Sequence, residues 1–185
     1  MDSYINIHVK SMAWGWQEIE ISSNQTTLNI TASYMGADPL GDLIKIVMCF
    51  YYDEEETQYF TTWYSEPDKM ELSFIRDTQN INVVHIKAVY GEYNSLFDEK
   101  PTQIIQEYRF DVTLDELKKA VIKEALRVLK EYGIRGYDGS WMSEEGVFPI
   151  RALLILLDSP VSFDEETDSY HSNIKDELQL LLSLV

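Results

Sequence analysis

The side chains that most often carry chemistry are few in this chain and stand far apart. His8, His85 and His171 are its three histidines. None belongs to an H-x-H or H-E-x-x-H spacing, so a metal site would have to be assembled from distant parts of the chain. His8 and His85 fall on the polar side of alternating stretches and His171 stands at the start of a helical one; all three read as solvated residues. Cys49 is the single cysteine. One thiol closes no disulfide within the chain and makes no zinc site by itself. Its use as a nucleophile needs a base that the sequence does not place beside it. Next to Phe50 on an apolar helical pattern, it reads as a buried structural thiol. No metal, no cofactor and no catalytic residue is expected from this set.

Glycine patterns give no phosphate or acyl-transfer site either. Gly133, Gly136 and Gly139 follow a helical stretch, whereas a dinucleotide or phosphate loop follows a strand and opens a helix. Neither G-x-x-x-x-G-K-[ST] nor G-x-S-x-G occurs in the sequence. Asp138 to Glu145 is acidic, but its glycine comes too early for a calcium loop. The acidic runs at Asp53–Glu56 and Asp164–Asp168 read as solvated loops. A carboxylate pair could serve glycoside or phosphoester chemistry, but among 32 Asp and Glu no pair stands out.

Aromatic residues in connecting segments are the more unusual feature. Trp14-Gly15-Trp16 places two tryptophans where a turn is expected. Trp63-Tyr64-Ser65-Glu66-Pro67 sets a tryptophan and a Glu-Pro step at a strand end. Tyr137, Trp141 and Phe148 lie in a long link from Tyr132 to Phe148. Exposed aromatics lose favourable burial unless they pack on something, a partner included. Such residues either cap the ends of the core or anchor a partner. The candidate partner-binding residues are therefore Trp14, Trp16, Trp63, Glu66, Tyr137 and Trp141.

The charge narrows the kind of partner. Against 32 acidic residues stand 15 Lys and Arg, a formal net charge of −17. Such a field repels phosphate backbones and anionic lipid surfaces, so nucleic acid and membrane are not expected partners. It favours solubility and rapid encounter with a basic protein. The N-terminus alternates apolar and polar residues, unlike a signal peptide, and the apolar run Ala152–Leu157 is too short to span a bilayer. A cytoplasmic location is expected.

These residues must be positioned by a domain whose elements the hydrophobic pattern outlines. With 45% hydrophobic residues in 185, the chain has enough apolar material for one core. Period-two alternation marks strands at Ile5–Val9, at Ile19–Ile21 and over Leu28–Tyr34. Asp38-Pro39 starts a helix near 39–52, with Asp38 as cap and Leu43, Ile44, Val47, Met48 and Tyr51 on one stripe; Gly41 is unfavourable within it. Strands resume at Thr57–Tyr64, Met70–Phe74, Ile81–Tyr90 and Ile104–Val112, joined by turn residues. Thr113 and Glu116 form a capping box for a helix near 114–132 that carries Leu117, Val121, Ala125 and Val128. Gly133 ends it in the left-handed conformation, and Ile134 can fold back on its last turn. Pro149 opens a short, nearly all-apolar helix to Leu157, and Asn173–Val185 is a final amphipathic helix with Ile174, Leu178, Leu181, Leu182 and Val185. The expectation is a single α+β domain over 1–185, sheet-rich over 1–112 and helical over 113–185. Its mainly antiparallel meander sheet has helices packed on one face.

Three stretches carry a resemblance. Ser33-Tyr34-Met35-Gly36-Ala37-Asp38-Pro39-Leu40, the Trp63…Glu66-Pro67 turn, and Tyr132–Tyr137 before Trp141 and Phe148-Pro149 resemble an uncharacterised family of small acidic bacterial proteins. In general character the chain is similar to immunity proteins of bacterial toxin systems. That similarity implies a cytoplasmic, non-catalytic, single-domain protein that covers the active site of a basic toxin. It transfers no functional residue. The alternative is a small-ligand-binding or hydrolase-like domain built from scattered carboxylates and aromatics.

Overall fold

Alternation along the first 33 residues folds into a three-stranded antiparallel sheet, β1 (Ile5–Ala13), β2 (Trp16–Ser23) and β3 (Thr27–Ser33), in the order β1-β2-β3. The computed structural model describes residues 4–35, 37–52, 57–95, 97–141, 148–164 and 169–185, without the side chains of 141, 163, 164, 169 and 170. Ile5, Ile7, Val9, Ile19, Ile21, Leu28 and Ile30 all point into the core, as their spacing requires. Between Val9 and Ser11 the register of β1 shifts, a bulge that bends its end. Ser23 makes the β2–β3 turn by accepting from the amides of Gln25 and Thr26 at 3.3 and 3.2 Å.

Helix α1 (Pro39–Tyr52) follows, capped by Asp38, whose Oδ1 accepts from the Gly41 amide at 3.0 Å. A second antiparallel sheet runs β4 (Gln58–Ser65), β5 (Asp68–Arg76), β6 (Val83–Glu92) and β7 (Gln103–Thr113), in that order. The antiparallel α+β architecture is as expected, but the strands form two sheets divided by α1. The sheets meet where β3 and β4 end: Ser65 Oγ donates to the Thr31 carbonyl at 2.7 Å. Asp77 builds the β5–β6 turn, its Oδ1 accepting from Gln79 and Asn80 amides at 2.7 and 2.8 Å.

The capping box forms as the spacing predicts. Thr113 Oγ1 accepts from the Glu116 amide at 3.2 Å, and Glu116 Oε2 accepts from the Thr113 amide at 3.4 Å. It starts α2 (Leu114–Trp141), whose Leu117, Val121, Ala125 and Val128 are buried in the one core cluster that draws on both sheets. Gly133 breaks α2 at φ 66, ψ 172. Ile134 does not fold back but is exposed, and helix resumes over 134–141 where a long link was expected.

Helix α3 (Ile150–Leu156) buries Ala152, Leu153 and Leu156. A short hairpin, β8 (Ser162–Asp164) and β9 (Ser169–His171), was not foreseen, and His171 ends its second strand instead of starting a helix. The final helix α4 (Ile174–Leu184) is capped by Asn173, whose side chain accepts from Lys175 N at 2.9 Å. The expected apolar stripe is present, yet Ile174, Leu178 and Leu182 are exposed. The expectations for the acidic run 53–56 and for 142–145 and 165–168 lie outside the described residues. Among the described residues no helix is long and apolar enough to cross a membrane.

Candidate functional site

Strands β1 and β2 are joined by two residues, Trp14 and Gly15, flanked by the pair Ala13 and Trp16. Trp14 has φ 56 and Gly15 φ 78. Two consecutive left-handed residues give the hairpin turn whose twist suits the strands, and Asn, Asp or Gly normally fills its first position. Tryptophan there is strained by roughly 1–3 kcal/mol. Gly15 is required: a Cβ would stand 2.7 Å from the Tyr34 ring. The turn is braced on both sides. Gly15 N–H donates to the Ser140 carbonyl of α2 at 3.0 Å, and Tyr34 N–H donates to the Gly15 carbonyl at 2.8 Å.

The tip presents apolar surface to solvent. Trp14 is 83% exposed, Trp16 38%, Tyr34 44% and Met35 43%. Trp16 heads the outward row of β2 that continues with Glu18 and Glu20, the latter paired with Lys10 at 2.9 Å. An aromatic tip thus adjoins a charged sheet face. Because asparagine tolerates the left-handed region that tryptophan resists, Trp14→Asn is expected to stabilise the fold by about 1 kcal/mol in urea denaturation. A loss of stability would mean that Trp14 holds the hairpin together.

The other aromatic candidates fall elsewhere. Trp63 is 0% exposed, on the inner face of β4, and its Nε1 donates to Asp42 Oδ2 at 3.1 Å. Asp42 Oδ2 also accepts from Thr61 Oγ1 at 2.8 Å. Tyr137 is fully buried, stacked edge-on against Phe148 at 5.1 Å. For both residues the core role holds, and neither presents a surface to a partner. Glu66 is exposed, in the β4–β5 turn at a cis Glu66–Pro67 peptide bond. That turn lies beside the end of β3 through the Ser65–Thr31 bond, near Ser33, which pairs with Trp16. The side chain of Trp141 lies outside the described residues.

Beneath the tip is a polar network that local sequence could not reveal. Tyr137 Oη donates to Asp38 Oδ1, Gln17 Nε2 donates to Tyr137 Oη at 3.4 Å, and Leu40 N–H donates to Gln17 Oε1 at 3.1 Å. Asp38 is 6% exposed and its Oδ2 has no hydrogen-bond partner among the described residues. Burial pushes its carboxyl up to about 6, against the Tyr137 and Gly41 hydrogen bonds that favour the charged form. Burial raises Asp42 in the same direction. The available signal was Gly41: a Cβ there would meet Asp38 Oδ2 at 2.2 Å, which explains a glycine inside a helix.

His8 and His85 do lie on the polar faces of their strands, and Cys49 is half-buried. His85 is held between two carboxylates, Nδ1 2.6 Å from Asp111 Oδ1 and Nε2 2.9 Å from Asp77 Oδ2. Both ring nitrogens donate only in the imidazolium, so Asp111 and then Asp77 raise its pKa. A raised folded pKa means that the stabilisation is complete below the unfolded value of about 6.5 and is lost as pH rises through the folded one. In an NMR titration His85 is expected to titrate above 6.5, with Asp111→Asn moving it down; an unmoved midpoint contradicts the pairing. Among the described residues no three His, Cys, Asp or Glu are grouped to hold a metal ion.

The class these features define is an α+β domain with an aromatic hairpin tip and a buried carboxylate network. No family model matches the chain, and no curated protein or solved structure is significantly similar to it.

Proposed function

We propose that this chain is a non-catalytic protein-binding domain that docks a basic partner through the aromatic tip. The most concrete form of this is an immunity protein that covers the active site of a bacterial toxin in the cytoplasm, with neither nucleic acid nor membrane as its target. One observation carries the reading: Trp14 is 83% exposed while held at φ 56, so it is unfavourable in both solvation and backbone. Strain of this kind persists where a site needs it. Exposed Trp16, Tyr34 and Met35 supply neighbouring apolar area, and tryptophan and tyrosine are the residues that most often anchor interfaces. The net charge of −17 supplies long-range attraction to a basic contact face.

Capture from the source organism's lysate on immobilised wild type, compared with Trp14→Ala/Trp16→Ala, tests this. A protein basic at its contact face should be retained by wild type, lost with the double variant, and bound more slowly as salt rises. Retention indifferent to both the tryptophans and salt would contradict it.

The hydrolase-like alternative has one observation in its favour, the carboxylates of Asp38 and Asp42, both raised by burial. Both already serve the fold, and a substrate would have to displace Tyr137 to reach Asp38.

A further inference from the structure

We propose that Asp38 and Tyr137 form a protonation-sensitive latch that holds helical segment 134–141, and through it the aromatic tip, against the body of the domain. The consequence for partner contact rests on the binding reading above; the latch itself does not.

Segment 134–141 follows the break at Gly133, where a Cβ would touch nothing within 4 Å among the described residues, so the glycine answers to the backbone turn. From residue 134 to 140 only Tyr137 is buried. Its ring rests on Phe148, and its hydroxyl ends on Asp38. Three residues on, the Ser140 carbonyl takes the Gly15 amide of the hairpin turn. A path of direct contacts therefore runs from Asp38 through Tyr137 and Ser140 to the residue next to Trp14.

The carboxyl of Asp38 is the unstable member. Its Oδ1 accepts from Tyr137 Oη and Gly41 N–H, while the buried Oδ2 has no hydrogen-bond partner among the described residues. Neutral, the group leaves no charge uncompensated. Ionised, it holds a charge that water would solvate better. Around it, Asp42 on the same helix opposes ionisation and Lys45 favours it. The facing element β2 contributes uncharged Gln17 and α2 contributes Tyr137, while the Thr61 and Trp63 side chains of β4 engage Asp42; Arg151 of α3 is exposed. Opening of segment 134–141 would admit water to Asp38, so ionisation favours opening. With the closed carboxyl at about 6 and an open one near 3.8, the opening equilibrium rises with pH and levels off above the closed value. Between pH 4 and pH 7.5 the gain is roughly 50-fold for full hydration of the open carboxyl.

Hydrogen exchange of the Gly15 amide reads this directly, because that amide is protected by Ser140. After correction for intrinsic exchange, wild type should lose tens-fold of Gly15 protection between pH 4 and pH 7.5, while Val121 in the core of α2 does not. Asp38→Asn should abolish the pH dependence. If that variant does not fold, Tyr137→Phe serves: losing the donor that favours the charged form moves the transition to higher pH. Gly15 protection that is flat in wild type, or that falls equally in Asp38→Asn, or whose midpoint is unmoved in Tyr137→Phe, overturns the latch. None of these outcomes depends on partner binding.

Discussion

Replacing Trp63 with alanine is expected to destabilise the fold by about 3–5 kcal/mol, the range for deleting a large buried aromatic. The ring is fully enclosed, and its Nε1–H is one of two side-chain donors on Asp42 Oδ2. The variant would leave a cavity and would also deprive a half-buried carboxylate of a partner. Trp63→Phe separates the two effects: it keeps most of the ring volume and loses the donor, for a cost of about 1–3 kcal/mol. Urea denaturation with an unchanged slope gives both values. A cost at Trp63 no larger than at Trp14 would contradict the division of the tryptophans into core and tip.

The second large effect is expected at Glu124. This carboxylate is 4% exposed on α2 and accepts the Val9 amide at 2.6 Å, beside the bulge in β1. Arg127 donates to the Val9 carbonyl at 2.6 Å and to Glu124 at 2.7 Å. Together the two side chains do for Val9 what a neighbouring strand would do, one as acceptor and one as donor. Glu124→Ala leaves a buried amide without its partner and leaves Arg127 only the exposed Glu131 as counter-charge, and should cost about 3 kcal/mol. The estimate is kept below that for a fully buried pair because Arg127 is partly solvated. Glu124→Gln keeps an acceptor of the same shape and should recover a good part of the loss. A neutral Glu124→Ala would show that the bulge needs no support from α2.

Much of this fold is legible from local pattern. Alternation placed the strands, and the Thr113–Glu116 box placed the start of α2, because both are properties of neighbouring residues. The division into two sheets was not legible, since a strand–helix–strand stretch reads the same whether the strands share a sheet or not. Periodicity found α4 but could not say what faces its stripe, and Leu178 and Leu182 turn out exposed. The tryptophans show the same limit. Trp14 and Trp63 both stand at strand ends in sequence, and only the register sets Trp63 opposite Met70 on the inner face and Trp14 at the tip. The Asp38 network was invisible for a further reason: Tyr137 lies 99 residues from Asp38, and Gln17 lies 120 from Tyr137. A cap at Asp38 could be read locally, but its burial could not.

The central claim is that Trp14 is kept at the hairpin tip for contact and not for folding. The dissociation rate of the captured complex, measured with Trp14→Asn beside wild type, tests it most directly. A desolvated anchor contributes about 2 kcal/mol or more, so dissociation should be faster by roughly 30-fold or more, from a variant at least as stable as the parent. An unchanged dissociation rate from that well-folded variant would contradict the claim.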